Sequence, residues 1–171
     1  MRILGIDPGY ERLGLAVIER PDDLVSNKSK KDVLLFSECF KTSPKAEFPD
    51  RLKMIGDRLE VIFAEYRPEM VAIETLFFTN NQKTAMHVAE VRGVILYISA
   101  RHNAMVREFT PPSIKLATTG HGQSDKRQII AMIPRLINIE KEIAHDDEYD
   151  AIAVAITCLA MRKSLQYLIH T

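Results

Sequence analysis

The early part of the chain is written in short apolar runs broken by turn residues. Ile3, Leu4 and Ile6 give a buried-strand pattern that ends at Asp7, where Pro8-Gly9 turns the chain. Leu13 to Ile18 reads as a second strand across that turn, and Val33 to Phe40 as a third. Between them Pro21–Asp32, with its run Ser26-Asn27-Lys28-Ser29-Lys30-Lys31, reads as a mobile hairpin loop. Three strands so closely joined predict an antiparallel meander.

The period then changes. Leu52, Ile55, Leu59, Ile62, Phe63 and Tyr66 recur at helical spacing, with Pro49 suited to the first turn and Pro68 closing the segment. Met70 to Ile73 is a short strand ending in Glu74, and Gln82 to Arg101 a long helix. In that helix Ala85, Ala89 and Gly93 fall four apart, which predicts a face for close packing. Ala104 to Phe109 is a fifth strand stopped by Pro111-Pro112, followed by a short helix over Ser113–Thr118 and a flexible loop at Thr119–Gln123. Ser124 and Asp125 open a helix that Pro134 is expected to interrupt. The last helix runs from about Asp147 to Leu168, with Ile152, Ala155, Ile156 and Leu159 on one face. The sum is an α/β fold: a five-stranded mixed sheet, three antiparallel strands then two parallel, flanked by helices.

A length of 171 residues at 46% hydrophobic suits one well-filled domain, 1–171, and is too short for two ordinary ones. Cys39 and Cys158 lie in apolar runs and read as buried free thiols. No charged-then-apolar leader opens the chain, and the longest mostly apolar run, Ala151 to Met161, is too short to span a bilayer. These features predict a soluble cytoplasmic protein with no membrane contact. Net charge is zero, from 23 Lys and Arg against 23 Asp and Glu, so overall basicity gives no argument for nucleic acid. The distribution does. Arg101, Arg107, Lys115, Lys126 and Arg127 face only Glu108 and Asp125 in their segment, whereas Glu140–Asp150 holds six acids against Lys141. A basic segment beside an acidic cluster suits a polyanion gripped near bound cations.

The candidate chemistry lies in the acids. Asp7 and Glu74 each end a predicted strand; if those strands are parallel neighbours, the two meet at the sheet edge where ligands bind. Asp147 and Asp150, three apart at the start of the last helix, share one helical face. Each acid alone has an ordinary use: Asp7 in a turn, Glu74 at the surface, Asp147 against a helix N-terminus. Four together would repel and some would stay protonated unless divalent cations met them, and hard oxygen ligands select Mg²⁺ or Mn²⁺. Two ions about 4 Å apart would stabilise the attacking and the leaving oxygen of a phosphodiester displacement, with Asp7 bridging them.

The opening Ile-Leu-Gly-Ile-Asp7-Pro-Gly, Val71-Ala72-Ile73-Glu74 with Phe77 three residues on, and Val91-Arg92-Gly93-Val94 resemble the RuvC Holliday junction resolvases. So do Pro112-Ser113-Ile114-Lys115 and Asp147-Glu-Tyr-Asp150-Ala-Ile-Ala-Val-Ala-Ile-Thr157, all in family order over nearly the whole chain. The resemblance implies a ribonuclease-H-like fold and a homodimer. It implies paired symmetrical nicking of four-way DNA junctions with two Mg²⁺ per site, Mn²⁺ substituting, and a branch-migration helicase complex as candidate companion. By position, the catalytic metal carboxylates are Asp7, Glu74, Asp147 and Asp150. Asp146 rivals Asp147, because spacings of three and four both face Asp150; the family's D-x-x-D spacing favours Asp147. Phe77 matches the aromatic placed against bases at the crossover, with Phe78 as its rival. Lys115 and Lys126 match DNA-contacting lysines, with Arg127 as a helper, whereas Asn80 and Asn81 suit capping of the helix that follows. His145 reads as a surface histidine or a supporting group.

Three other readings stay open on the sequence. A related nuclease family that processes ribosomal RNA shares the opening motif but not the Pro-Ser-Ile-Lys block or the D-x-x-D-A-I-A-V-A ending. The actin and sugar-kinase nucleotide fold needs two lobes. A junction-binding protein that does not cut would be expected to lack one of the acids.

Overall fold

The computed structural model describes residues 1–21, 31–75 and 82–166. The expectations placed on Phe77, Phe78, Asn80, Asn81 and most of the Pro21–Asp32 loop lie outside the described residues. The first three strands are β1 (Arg2–Asp7), β2 (Arg12–Glu19) and β3 (Val33–Lys41). Then come α1 (Phe48–Tyr66), β4 (Met70–Glu74), α2 (Gln82–Arg101), β5 (Met105–Phe109), α3 (Pro111–Thr119), α4 (Lys126–Leu136) and α5 (Asp146–Gln166). The sheet order is β3-β2-β1-β4-β5. β1, β2 and β3 pair antiparallel, while β4 runs parallel to both β1 and β5, which is the mixed sheet the strand pattern predicts.

Alternation along the strands sorts their side chains into two unlike faces. Leu4, Ile6, Leu13, Leu15, Val17, Val71 and Ile73 pack against α1 and α2 through Ile55, Leu59, Ile62, Val91, Ile95 and Ile98. The other face is shallow, with Gly5, Gly14, Ala16 and Ala72 near its centre, and α5 lies there. A Cβ on Gly5 would stand 2.2 Å from the Ala151 carbonyl oxygen, and one on Gly14 2.2 Å from that of Asp147. Helix and sheet therefore meet backbone to backbone. With α3 and α4 packed on its outer side, α5 is enclosed: Ala151 through Leu159 are all buried, where the sequence pattern suggested one apolar face.

Two other expectations change. Ala85 is half-buried, Ala89 is exposed, and a Cβ on Gly93 would meet nothing within 4 Å; the face α2 turns to the sheet carries Val91, Ile95 and Ile98 instead. Larger apolar side chains remove more surface from water, and they decide which face goes in. Pro134 does not interrupt α4, which continues to Leu136. Proline there forfeits one bond, to the Ile130 carbonyl, only two residues before the helix ends. Both cysteines are buried thiols, as the apolar runs around them predict. Among the described residues no helix is long and apolar enough to cross a membrane.

Gly5→Ala tests the backbone contact. Its methyl group has only main-chain atoms and Ala155 to displace, so the variant is expected to lose about 1–3 kcal/mol of stability or more in urea unfolding.

Candidate active site

Asp7 and Glu74 are the last residues of β1 and β4, one step beyond the parallel Ile6–Ile73 pair. Strand alternation turns both toward α5. On that helix Asp147 and Asp150 lie one turn apart, and the Asp147 carbonyl is the group seated over Gly14, which in turn pairs with Asp7. The four acids predicted from the sequence are thus brought to one end of the sheet.

Their charges are only partly met. Burial, then repulsion from Glu74, Asp150 and Asp147, pushes the Asp7 carboxyl up to about 7, against a smaller downward pull from Lys126. Burial and Asp150 likewise raise Glu74, with Lys115 opposing. Burial raises Asp150 despite the Lys126 ammonium, which donates to its Oδ2 at 2.9 Å. Asp147 differs. Burial works against its charge, yet hydrogen bonds from Cys39 and Arg12, together with the Arg12 charge, hold its carboxyl below the ordinary value. Cys39 Sγ donates to Asp147 Oδ2 at 3.4 Å, and the Arg12 guanidinium pairs with the same oxygen. Asp146 is exposed and 3.4 Å from Lys126, whereas Asp147 is among the main sources of repulsion on Asp7. Of the two rivals, Asp147 is therefore the one that faces Asp7.

Beside the acids opens a cleft of about 260 Å³, lined by Glu74, Pro111, Ile114, Lys115, Lys126, Ile129, Asp150 and Ala153. The Asp125 capping box that starts α4 places Lys126 at its rim, and the Thr110 cap with Pro111 starts α3 so that Lys115 faces Glu74. Arg127 is exposed and outside the cleft lining. His145 Nε2 lies 3.3 Å from Lys41 Nζ, away from the acids.

Sequence reasoning missed Arg12 and Cys39 as site neighbours and gave Glu148 no role. Cys39 and Gly14 are register partners, as are Gly14 and Asp7, so three strands supply one row ending at the site. Only the pairing reveals that row. Glu148 did leave a trace: a Glu three residues past a helix start is a capping signal, and its Oε1 accepts from the Ala144 and His145 N–H groups at 3.2 Å each.

Hard oxygen donors held close together, one of them keeping its proton near neutrality, are chemically suited to small divalent cations. As the side chains stand, no group of three or more His, Cys, Asp or Glu among the described residues converges tightly enough to enclose an ion. Arg12 pairs with Asp147 and Lys126 with Asp150, so each helix acid has a positive partner.

The mixed sheet, the helix laid across it and acids at the ends of neighbouring parallel strands define the ribonuclease-H-like class. A family model described as "Crossover junction endodeoxyribonuclease RuvC" matches residues 3–158. The RuvC of Alkaliphilus metalliredigens is 42% identical over 156 residues, covering 91% of each chain. That of Rickettsia akari is 40% identical over 162 residues, 95% of this chain and 99% of the relative. Among solved structures, Thermus thermophilus RuvC in complex with a Holliday junction substrate superposes with a TM-score of 0.86 at 29% identity, covering 96% of both chains. This chain belongs to the RuvC crossover junction endodeoxyribonuclease family.

The Asp7 shift has a consequence for stability. Unfolded, the carboxyl titrates near 3.8; folded and without metal, near 7. Its contribution is most favourable below the lower value, declines as pH rises through the interval, and is flat above it. In chelator, Asp7→Asn is expected to stabilise the protein by up to about 4 kcal/mol near pH 8 and to change it little near pH 4, read from thermal melts.

Proposed function

We propose that this protein is a structure-selective DNA endonuclease that resolves four-way Holliday junctions by paired symmetrical nicks. The observation that carries the reading is the gathering of Asp7, Glu74, Asp147 and Asp150 at one sheet edge beside Lys115 and Lys126, in a chain of this family. Each nick is a hydrolysis: water attacks phosphorus, the P–O bond to the 3′ oxygen breaks, and the ends left can be rejoined. Two Mg²⁺ ions, or Mn²⁺ in their place, held by the four acids would spread the phosphate's developing charge and make a bound water acidic. Lys126 releases Asp150 as its own charge turns to the substrate. Lys115, across the cleft from Glu74, meets a phosphate flanking the scissile one, with Arg127 further out. Such contacts fix register and weaken with salt without reading sequence. Phe77, three residues after Glu74, supplies the ring that stacks on a base at the crossover.

Two symmetry-related strands must be cut, which calls for a homodimer with one site per protomer. Met86 (64% exposed) and Tyr97 (62%), with the open Gly93 between them, give α2 an apolar face suited to that contact. A branch-migration helicase complex is the candidate companion, in the reducing cytoplasm that two buried thiols suit.

The deciding assay incubates the protein with a labelled four-way junction, a linear duplex and an RNA hybrid, with Mg²⁺ and with chelator. Symmetrical junction cutting that requires the metal is expected. Cleavage of the hybrid in preference would favour the RNA-processing reading, and junction binding without cutting would favour a non-catalytic binder. Asp147→Asn should abolish cutting while junction affinity in chelator stays nearly intact; an active variant would move the role to Asp146. Loss of the Phe77 ring removes a stacking contact worth about 1–3 kcal/mol, so Phe77→Ala should weaken junction cutting more than duplex binding, measured side by side.

A further inference from the structure

The two halves of the carboxylate set are held by different means. Asp7 and Glu74 end strands locked in the sheet, whereas Asp147 sits in the first turn of α5, the part of a helix that lacks internal hydrogen bonds and frays first, and Asp150 follows one turn on. Something outside the helix must hold that turn. Edge strand β3 supplies it. Ser37, Cys39 and Lys41, alternate residues on the α5 face of the strand, each meet the start of the helix. Ser37 Oγ donates to Glu148 Oε2 at 2.6 Å, Cys39 Sγ to Asp147 Oδ2 at 3.4 Å, and Lys41 Nζ lies 3.3 Å from His145 Nε2. Glu148 is 3% exposed. Lys141, from the segment leading into α5, closes the cluster, with its ammonium 3.0 Å from Glu148 Oε2, 2.9 Å from Ser37 Oγ and 2.7 Å from the Ser37 carbonyl. The other Glu148 oxygen takes the Ala144 and His145 N–H groups.

We propose that this clasp, Ser37 and Lys141 closed on the buried Glu148 carboxylate, positions Asp147 and Asp150 for phosphodiester hydrolysis by fixing the first turn of α5 to the edge strand. Glu148 is a positioning residue: it lies between the two acids in sequence and touches neither substrate nor cleft. Its placement answers a tolerance that the sheet contact alone does not meet. Backbone contact at Gly5 and Gly14 fixes the axis of α5. A reacting constellation must hold its groups to about 0.5 Å, and a turn free to unwind does not. The clasp rests on the function proposed above only for what the positioning serves; the positioning itself can be measured without substrate.

The experiment compares the full chain with Glu148→Ala, Ser37→Ala, Lys141→Met and Lys141→Arg. Four readouts are followed: amide hydrogen exchange over 144–149, Mn²⁺ affinity without DNA, junction affinity in chelator, and kcat and KM for junction cutting. Removing a group that orients a metal-binding carboxylate typically costs 10–100-fold in metal affinity or activity. Glu148→Ala is therefore expected to speed exchange in the first turn but not beyond Ala151, and to lower Mn²⁺ affinity and kcat at least about tenfold. KM and junction affinity should stay within about twofold, since the residue makes no DNA contact on this reading. Lys141→Met should move the same readouts in the same direction, and Lys141→Arg, which keeps the charge and donors, should restore them. If Glu148→Ala does not fold, Ser37→Ala and Lys141→Met decide. A folded clasp variant with wild-type exchange over 144–149, or with unchanged Mn²⁺ affinity and kcat, overturns the proposal. If the wild-type protein cuts no junction, the function reading fails on its own, and the clasp is judged by exchange and Mn²⁺ affinity.

Discussion

Helix α5 rests on β1 and β2 with two of its carbonyls against Gly5 and Gly14, and most of what is distinctive here depends on that contact. Gly5 and Gly14 stand where any Cβ would strike a helix carbonyl. Ala16 and Ala72 extend the shallow surface, while the bulky Leu, Ile and Val of the same strands fill the opposite face. Close approach removes apolar surface from water on both sides of the helix, and α3 and α4 complete its enclosure. It also carries the Asp147 carbonyl over Gly14 and so delivers two acids of a helix to two acids of a sheet. Packing and chemistry share one cause.

That delivery has an electrostatic cost. Several carboxylates near one another, partly withdrawn from water, cannot all ionise freely, and Asp7, the most affected, titrates near neutrality instead of near 4. The donors within reach relieve the helix acids more than the strand acids: the Arg12 cation and the Cys39 thiol serve Asp147, and Lys126 serves Asp150. Asp7 has no ion pair of its own among the described residues. On the proposed function, divalent cations entering a site so arranged would relieve that repulsion, and the same uncompensated charge would supply the affinity for them.

A charge balance of zero overall also becomes intelligible. Four of the 23 acids gather at the site and Lys115 and Lys126 line the same cleft, so on the proposed function the surface that meets a phosphate backbone is locally mixed. Phosphate contacts by two or three lysines and arginines give modest, salt-sensitive grip. On the proposed function, selectivity for a branched substrate then rests on shape and on the spacing of two sites more than on charge.

Strands, their order of types and the four acids were legible in the amino-acid sequence, because burial writes a period into it and because Asp7 and Glu74 follow apolar runs directly. The helix start at Asp125 could be read from local capping chemistry, because its partners are neighbours in the chain, whereas α3 begins at Pro111 behind a Thr110 cap, two residues before the expected Ser113. Pattern alone misjudged α2, where small residues at regular spacing suggested a packing face that the larger Val91, Ile95 and Ile98 in fact supply. It also gave α5 a single apolar face, whereas Ala151 through Leu159 are all buried by elements far away in sequence. The row Asp7, Gly14, Cys39, the approach of Asp147 to Asp7, the pairing of Arg12, and the closure of Ser37 and Lys141 on Glu148 belong to tertiary structure. Local sequence can fix what each residue prefers for its own backbone and solvent. Which distant groups share a few ångströms is decided only when strand register and helix packing bring them together.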